Sequence, residues 1–140
     1  MVILGVDLGK ARTGVAVCDK SELLASPVEV VNEHNRERLL ERVAQLAKAR
    51  RAEQIVVGLP RNMDGSEGES AQNVRAFGAE LAKKTGLPVD FSDERGTTIT
   101  AHGFLNETNT RGKRRKATVD AVAATIILQD YLDYRRNRKG

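Results

Sequence analysis

The sequence predicts an α/β fold: a five-stranded mixed sheet, three antiparallel strands followed by parallel additions, with helices on both faces. Three observations carry this. Three β-rich runs follow one another at the N-terminus with only short connections, as antiparallel neighbours do. From Arg36 onward, helical periodicity alternates with short apolar runs, the pattern of crossover units that add parallel strands. The 140 residues suffice for one buried core, so 1–140 is expected to be a single domain ending in a basic tail at 135–140.

Residues 3–8 and 14–18 flank a short segment in which Gly9 permits a turn, so the two runs form a hairpin. Residues 27–31 supply a third strand. Over 36–51, Leu39, Leu40, Val43, Leu46 and Ala47 recur at helical spacing, with Asn35 placed to cap the N-terminus. The apolar run 55–59 reads as a buried strand stopped by Pro60. Residues 70–85 repeat Val74, Phe77, Gly78 and Leu81 at helical period, and Gly86 suits the exit. Gly78 on that face predicts close approach of a neighbouring element. Pro88 then restarts the chain as a strand over 89–92. Residues 98–105 are expected to form a short helix, 106–116 a polar loop, and 118–136 the closing helix with Thr118 as its cap.

Composition narrows the setting. The single cysteine, Cys18, lies in an apolar strand-like run, which excludes an intrachain disulfide and fits a core position in a reducing compartment. No apolar run approaches membrane-spanning length and no signal-like segment opens the chain, so a cytoplasmic protein without a membrane partner is expected. Residues 1–110 carry 14 Lys/Arg against 16 Asp/Glu, whereas residues 111–140 carry 9 against 3, so the net charge of +4 belongs to the C-terminal end.

Three acids stand where elements begin or end. Asp7 closes the first run, Glu94 follows 89–93, and Asp120 opens the apolar stretch 121–132. Carboxylates with no neighbouring Cys or His suit a hard cation that prefers oxygen donors, which points to phosphodiester chemistry. Blander roles exist for each: Asp7 as a turn acid before Gly9, Asp120 as a first-turn acid favoured by the helix dipole. Asp93 adjoins Glu94, and successive strand residues face opposite ways, so at most one of the two points into a common site.

Taken in order, Asp7-Leu8-Gly9 with Thr13-Gly14-Val15-Ala16, Val57-Gly58-Leu59-Pro60 with Met63-Asp64-Gly65, Asp93-Glu94-Arg95 with Thr97-Thr98, then Lys116 and Val119-Asp120 resemble the YqgF-type family of pre-16S rRNA nucleases, also called Holliday-junction-resolvase-like proteins. The match runs over nearly the whole chain. The resemblance implies a ribonuclease H-like fold and Mg²⁺- or Mn²⁺-dependent hydrolysis of structured RNA (pre-16S rRNA) or branched DNA. It also carries an acidic, metal-binding catalytic triad onto Asp7, Glu94 and Asp120, and selects Glu94 over Asp93. Two cations about 4 Å apart could activate water and stabilise the leaving oxygen, with Asp7 on a rigid strand as the bridging ligand.

The chain departs from the family pattern at Gly96, where a large apolar residue is usual, and at Thr100, where an acid is common. Ala124, one helical turn after Asp120, offers no second carboxylate, so the second cation is expected to be weakly held. These departures favour a third reading, a non-catalytic nucleic-acid binder with an impaired site. His102 is a candidate proton shuttle or a packing residue, and His34 a solvated loop residue.

Arg111-Gly112-Lys113-Arg114-Arg115-Lys116 places five positive charges in six residues just before Asp120. Such a cluster supplies salt-sensitive phosphate affinity. Arg95 either contacts phosphate or pairs with an acid. Arg135, Arg136, Arg138 and Lys139 form a second basic run that adds attraction or merely solubilises. Aromatic content of 4% leaves little for base stacking, so duplex, junction or structured RNA is favoured over single strands. The polar segment 62–68 is expected to be a flexible lid or substrate-positioning loop. Asp7-Leu8-Gly9 with Gly14 also resembles the first phosphate loop of actin-like ATPases, but the second lobe such enzymes need has no room in this length.

Overall fold

The computed structural model describes residues 1–62, 64–93 and 112–139, with the backbone alone for 112–121 and 138–139. Strands β1 (Ile3–Asp7), β2 (Thr13–Cys18), β3 (Ala25–Val31), β4 (Gln54–Leu59) and β5 (Val89–Asp93) form one sheet in the order β3-β2-β1-β4-β5. β1 pairs antiparallel with β2 and parallel with β4. β2 pairs antiparallel with β3, and β4 parallel with β5. This is the mixed sheet expected, with β1 in the middle.

Helices α1 (Arg36–Ala49) and α2 (Glu69–Thr85) cover one face. Asn35 caps α1 by accepting from the Arg38 amide, and Gly86 leaves α2 in the left-handed region at φ 73°, a conformation glycine enters without steric cost. Leu4, Val6, Ile55, Val57 and Leu59 point into a core shared with Leu40, Val43, Val74, Phe77 and Leu81. A Cβ on Gly78 would lie 2.6 Å from the Phe91 ring, so the glycine lets α2 seat directly on β5.

Helix α3 (Gly112–Lys139) covers the other face. Ile3, Ala16, Cys18 and Val56 pack there against Ala124, Leu128, Tyr131 and Leu132. The alternation of β1 is therefore complete: Leu4 and Val6 face α1 and α2, Ile3 faces α3. Cys18 is a core residue; its Sγ accepts from the Ile3 amide at 3.2 Å, and burial pushes its thiol pKa up.

Three expectations need correction. α3 begins at Gly112, so residues 112–116 are helical and not loop; Lys, Arg and Ala are strong helix formers, and their exposed charge does not prevent a helix. Thr118 is consequently an interior residue and no cap. Asp120 lies eight residues past Gly112, more than two turns in, which removes the first-turn role considered for it. The segment expected to be a lid or substrate-positioning loop carries local hydrogen bonds: the Asn62 amide donates to the Ser66 carbonyl at 2.9 Å, the Gly65 amide to the Asn62 carbonyl at 2.8 Å, and the Ser66 amide to Asp64 Oδ1 at 2.9 Å. The expected helix 98–105 and the first part of the expected loop lie outside the described residues.

Candidate metal and nucleic-acid site

Asp7 is the last residue of the central strand. Strand alternation puts it with Ile3 and Gly5 on the α3 face, at the C-terminal edge of β1 and β4, and it is half-buried. Its registry partner on β2 is Gly14. One step beyond the Val6–Val57 pair, Gly58 comes level with it on the other side, so the row across the sheet reads Gly14, Asp7, Gly58, Ser92. Glycines on both flanks keep side chains out of the space beside the carboxylate. The turn that follows is equally confined, since a Cβ on Gly9 would stand 2.1 Å from the Arg12 carbonyl oxygen.

The seating of α3 fixes how its residues stand relative to β1. A Cβ on Gly5 would meet Leu128 Cβ at 2.8 Å and the Ala124 carbonyl at 3.4 Å, so helix backbone rests against strand backbone. Further along, the Tyr131 hydroxyl donates to Asp90 Oδ2 at 2.9 Å and accepts from Gln54 Nε2 at 2.6 Å, where β4 and β5 begin. Burial, then the Asp90 bond, raises the Tyr131 pKa and keeps it a neutral donor. The helix thus runs antiparallel to β1: Tyr131 lies near its start, Ala124 and Leu128 beside Gly5. Position 120 is two turns before Leu128 on this stripe, about 12 Å further along the axis, and from Gly5 to Asp7 the strand advances by about 7 Å in the same direction. The backbone at Asp120 therefore comes toward the Asp7 end of the sheet. Ala124 is fully buried under Gly5, which explains in packing terms why no second acid stands there.

Asp93 takes the other face. Val89 and Phe91, four and two residues earlier, pack into the α1/α2 core, and Asp93 Oδ2 lies 3.8 Å from Arg61 Nη1. Glu94, Arg95, Gly96, Thr100, His102 and Arg111 lie outside the described residues. Lys113, Arg114, Arg115 and Lys116 are placed by backbone only, on the opening turns of α3 and not in a loop. His34 is exposed between β3 and α1, as expected.

Sequence reasoning missed one charged cluster. Arg61, just past β4, lies 3.6 Å from Glu67 and 3.8 Å from Asp93, while Arg75 grips Glu67 through two bonds of 2.7 and 2.8 Å and stacks over the Phe91 ring at 5.2 Å. Only the bare adjacency of Arg61 to Pro60 could have drawn attention to it. A cavity of about 680 Å³ between the C-terminal ends of α1 and α2, floored by Ala47, Ala52 and Leu87, opens at the opposite end of the sheet and takes no part in this site. Among the described residues no helix is long and apolar enough to cross a membrane.

Comparison with known proteins agrees with this architecture. The family model described as "RuvX: Holliday junction resolvase" matches residues 1–134. A protein of Anaeromyxobacter sp. (strain Fw109-5) is 45% identical over 135 residues, covering 96% of this chain and 98% of the relative; one from Gloeobacter violaceus is 42% identical over 134 residues, covering 96% and 85%. Both are named "Putative pre-16S rRNA nuclease". Among solved structures, Thermus thermophilus RuvC in complex with a Holliday junction substrate superposes with a TM-score of 0.61 at 19% identity, over 98% of this chain and 96% of that one. The fowlpox virus resolvase, solved with Holliday junction DNA, gives 0.59 at 10% identity over 96% and 99%. These two likenesses establish the ribonuclease H-like fold. With its sheet order, the family match over residues 1–134 and relatives above 40% identity, the chain belongs to the RuvX family.

Proposed function

We infer that this chain is a divalent-metal-dependent nuclease that hydrolyses phosphodiester bonds, with the 5′ region of pre-16S rRNA as its substrate. The observation that carries the reading is the antiparallel seating of α3 on β1, which brings the backbone at Asp120 toward the end of the sheet where Asp7 stands between two glycines. Glu94 is the third member. Asp93 takes the α2 face, and Glu94, which lies outside the described residues, is assigned on the family resemblance of Asp93-Glu94-Arg95.

All three side chains are oxygen donors, a set that fits Mg²⁺ or Mn²⁺ and no thiophilic metal. Bound there, such cations would activate water and stabilise the departing oxygen, with the second held weakly because Ala124 supplies no carboxylate. Asp7 contributes a rigidly placed carboxylate at the end of a buried strand. The basic turns 113–116 of α3 attract the phosphate backbone toward the catalytic end, and Arg95 and Arg111, outside the described residues, are further candidate phosphate contacts. Branched DNA is the second reading, favoured by the description of the matching family model.

The test is side-by-side cleavage of a precursor rRNA fragment and a four-way DNA junction in Mg²⁺ and in Mn²⁺. Wild type should cut at least one, and Asp7→Asn or Asp120→Asn should lower the rate about 10³-fold, since a metal site supplies several kcal/mol at the transition state. Cleavage that survives in both variants, or in chelator, refutes the assignment.

A further inference from the structure

The guanidinium of Arg61 carries five N–H donors. Among the described residues no acceptor lies within hydrogen-bond distance of any of them: Glu67 Oε2 is 3.6 Å away and Asp93 Oδ2 3.8 Å away. Its Nε is buried and has no partner among the described residues. Glu67 does not remedy this, because the fork of Arg75 already engages both of its oxygens at 2.7 and 2.8 Å.

A purely structural account of Arg61 is weak on magnitude. Ion pairs at these distances between side chains about one-third exposed contribute little, whereas a buried donor left unsatisfied costs more than such pairs return. The arrangement holds a cation in place by two long-range attractions while leaving its hydrogen-bonding capacity unspent. That is a receptor for an incoming oxyanion, and a planar guanidinium matches phosphate with two parallel bonds. Its location suits the role: Arg61 leaves the sheet two residues past Leu59, on the edge where Gly58 stands level with Asp7.

We propose that Arg61 is a phosphate-binding residue that grips a backbone phosphate of the nucleic-acid substrate at the C-terminal edge of β4, away from the scissile one, turning Nε and one Nη onto its oxygens. The identity of the substrate rests on the nuclease reading above; the phosphate contact does not require cleavage. Arg75 keeps Glu67 neutralised, so that its carboxylate repels the incoming phosphate less.

The experiment measures equilibrium binding of two probes, a precursor-rRNA stem and a four-way DNA junction, in Ca²⁺ between about 50 and 200 mM NaCl. Wild type is compared with Arg61→Gln, Arg61→Lys and, as a charge-matched control, Arg42→Gln on α1. Arg61→Gln should weaken binding about fivefold to tenfold at the lower salt and reduce the slope of log affinity against log salt by about 0.7–0.9, one phosphate contact. Arg61→Lys should recover the slope but only part of the affinity, because a point charge replaces a fork. Arg42→Gln should change neither. The proposal is overturned if Arg61→Gln keeps the wild-type slope, or if Arg42→Gln reproduces its loss. Should Arg61→Gln fail to fold by circular dichroism, Arg61→Lys decides: wild-type affinity there refutes a bidentate grip. Wild type that binds but never cuts in Mg²⁺ sinks the nuclease reading alone, and wild type that binds neither probe sinks both.

Discussion

Replacing Gly5 by alanine tests whether the contact between β1 and α3 sets the geometry of the candidate centre. The added Cβ would stand 2.8 Å from Leu128 Cβ, against an ordinary carbon–carbon separation of about 3.5–4.0 Å, so roughly 1 Å of displacement is needed. Neither side yields easily. Leu128 Cβ is fixed to helix backbone, and β1 is hydrogen-bonded on both edges. α3 must therefore lift or slide, at a cost of about 1–3 kcal/mol for overpacking. Because Tyr131 pins the helix to Gln54 and Asp90, the movement should grow with distance from that bridge, toward the Asp120 end. A misplacement of about 1 Å among groups that must act together costs about 100-fold in rate. Urea denaturation should show a loss within that range, and single-turnover cleavage a decline well beyond what the loss of folded protein explains. A Gly5→Ala protein with unchanged midpoint and unchanged cleavage would refute the close seating, and with it the argument that brings position 120 toward Asp7.

Other perturbations probe separate parts of the molecule. Tyr131→Phe removes a hydroxyl that satisfies buried Gln54 and should destabilise the fold by about 1–3 kcal/mol in urea, with little change in the metal dependence of cleavage. Gly9→Ala places a Cβ 2.1 Å from the Arg12 carbonyl, so the turn after Asp7 must rebuild; divalent-ion binding by calorimetry should weaken even where thermal unfolding shows a folded protein. The Arg42 hydrogen bond holds the Glu29 carboxyl below its ordinary value. Its stabilisation is therefore complete above the unfolded-state pKa of about 4.3 and disappears as pH falls through the depressed folded value, and Arg42→Gln should flatten that part of the acid limb in a pH series of melts.

The three N-terminal strands, both helices of the first face and their caps were legible because each carries a local signal: alternation with Gly at the turn, apolar residues at helical period, Asn35 and Gly86 at helix ends. The start of α3 was not. Its opening turns hold Gly112 and a run of Lys and Arg with no apolar stripe, so hydrophobic periodicity sets in only near Val119, while backbone propensity carries the helix seven residues further back. Asp7 could be singled out as a strand-end acid, but its place between Gly14 and Gly58 depends on register between strands fifty residues apart. The Tyr131–Gln54–Asp90 bridge and the Arg61–Glu67–Asp93 cluster were invisible for the same reason: neither has a period, and each joins residues that only the folded sheet makes neighbours.

One face of the sheet rests under two helices and the other, among the described residues, under α3 alone. Detaching that single lid would lay bare Ile3, Ala16 and Val56 in the same event that carries Asp120 away from Asp7. A molecule opened by this route also presents a sticky, protease-accessible surface, so opened copies would be conspicuous to cellular clearance instead of lingering as competitors for substrate.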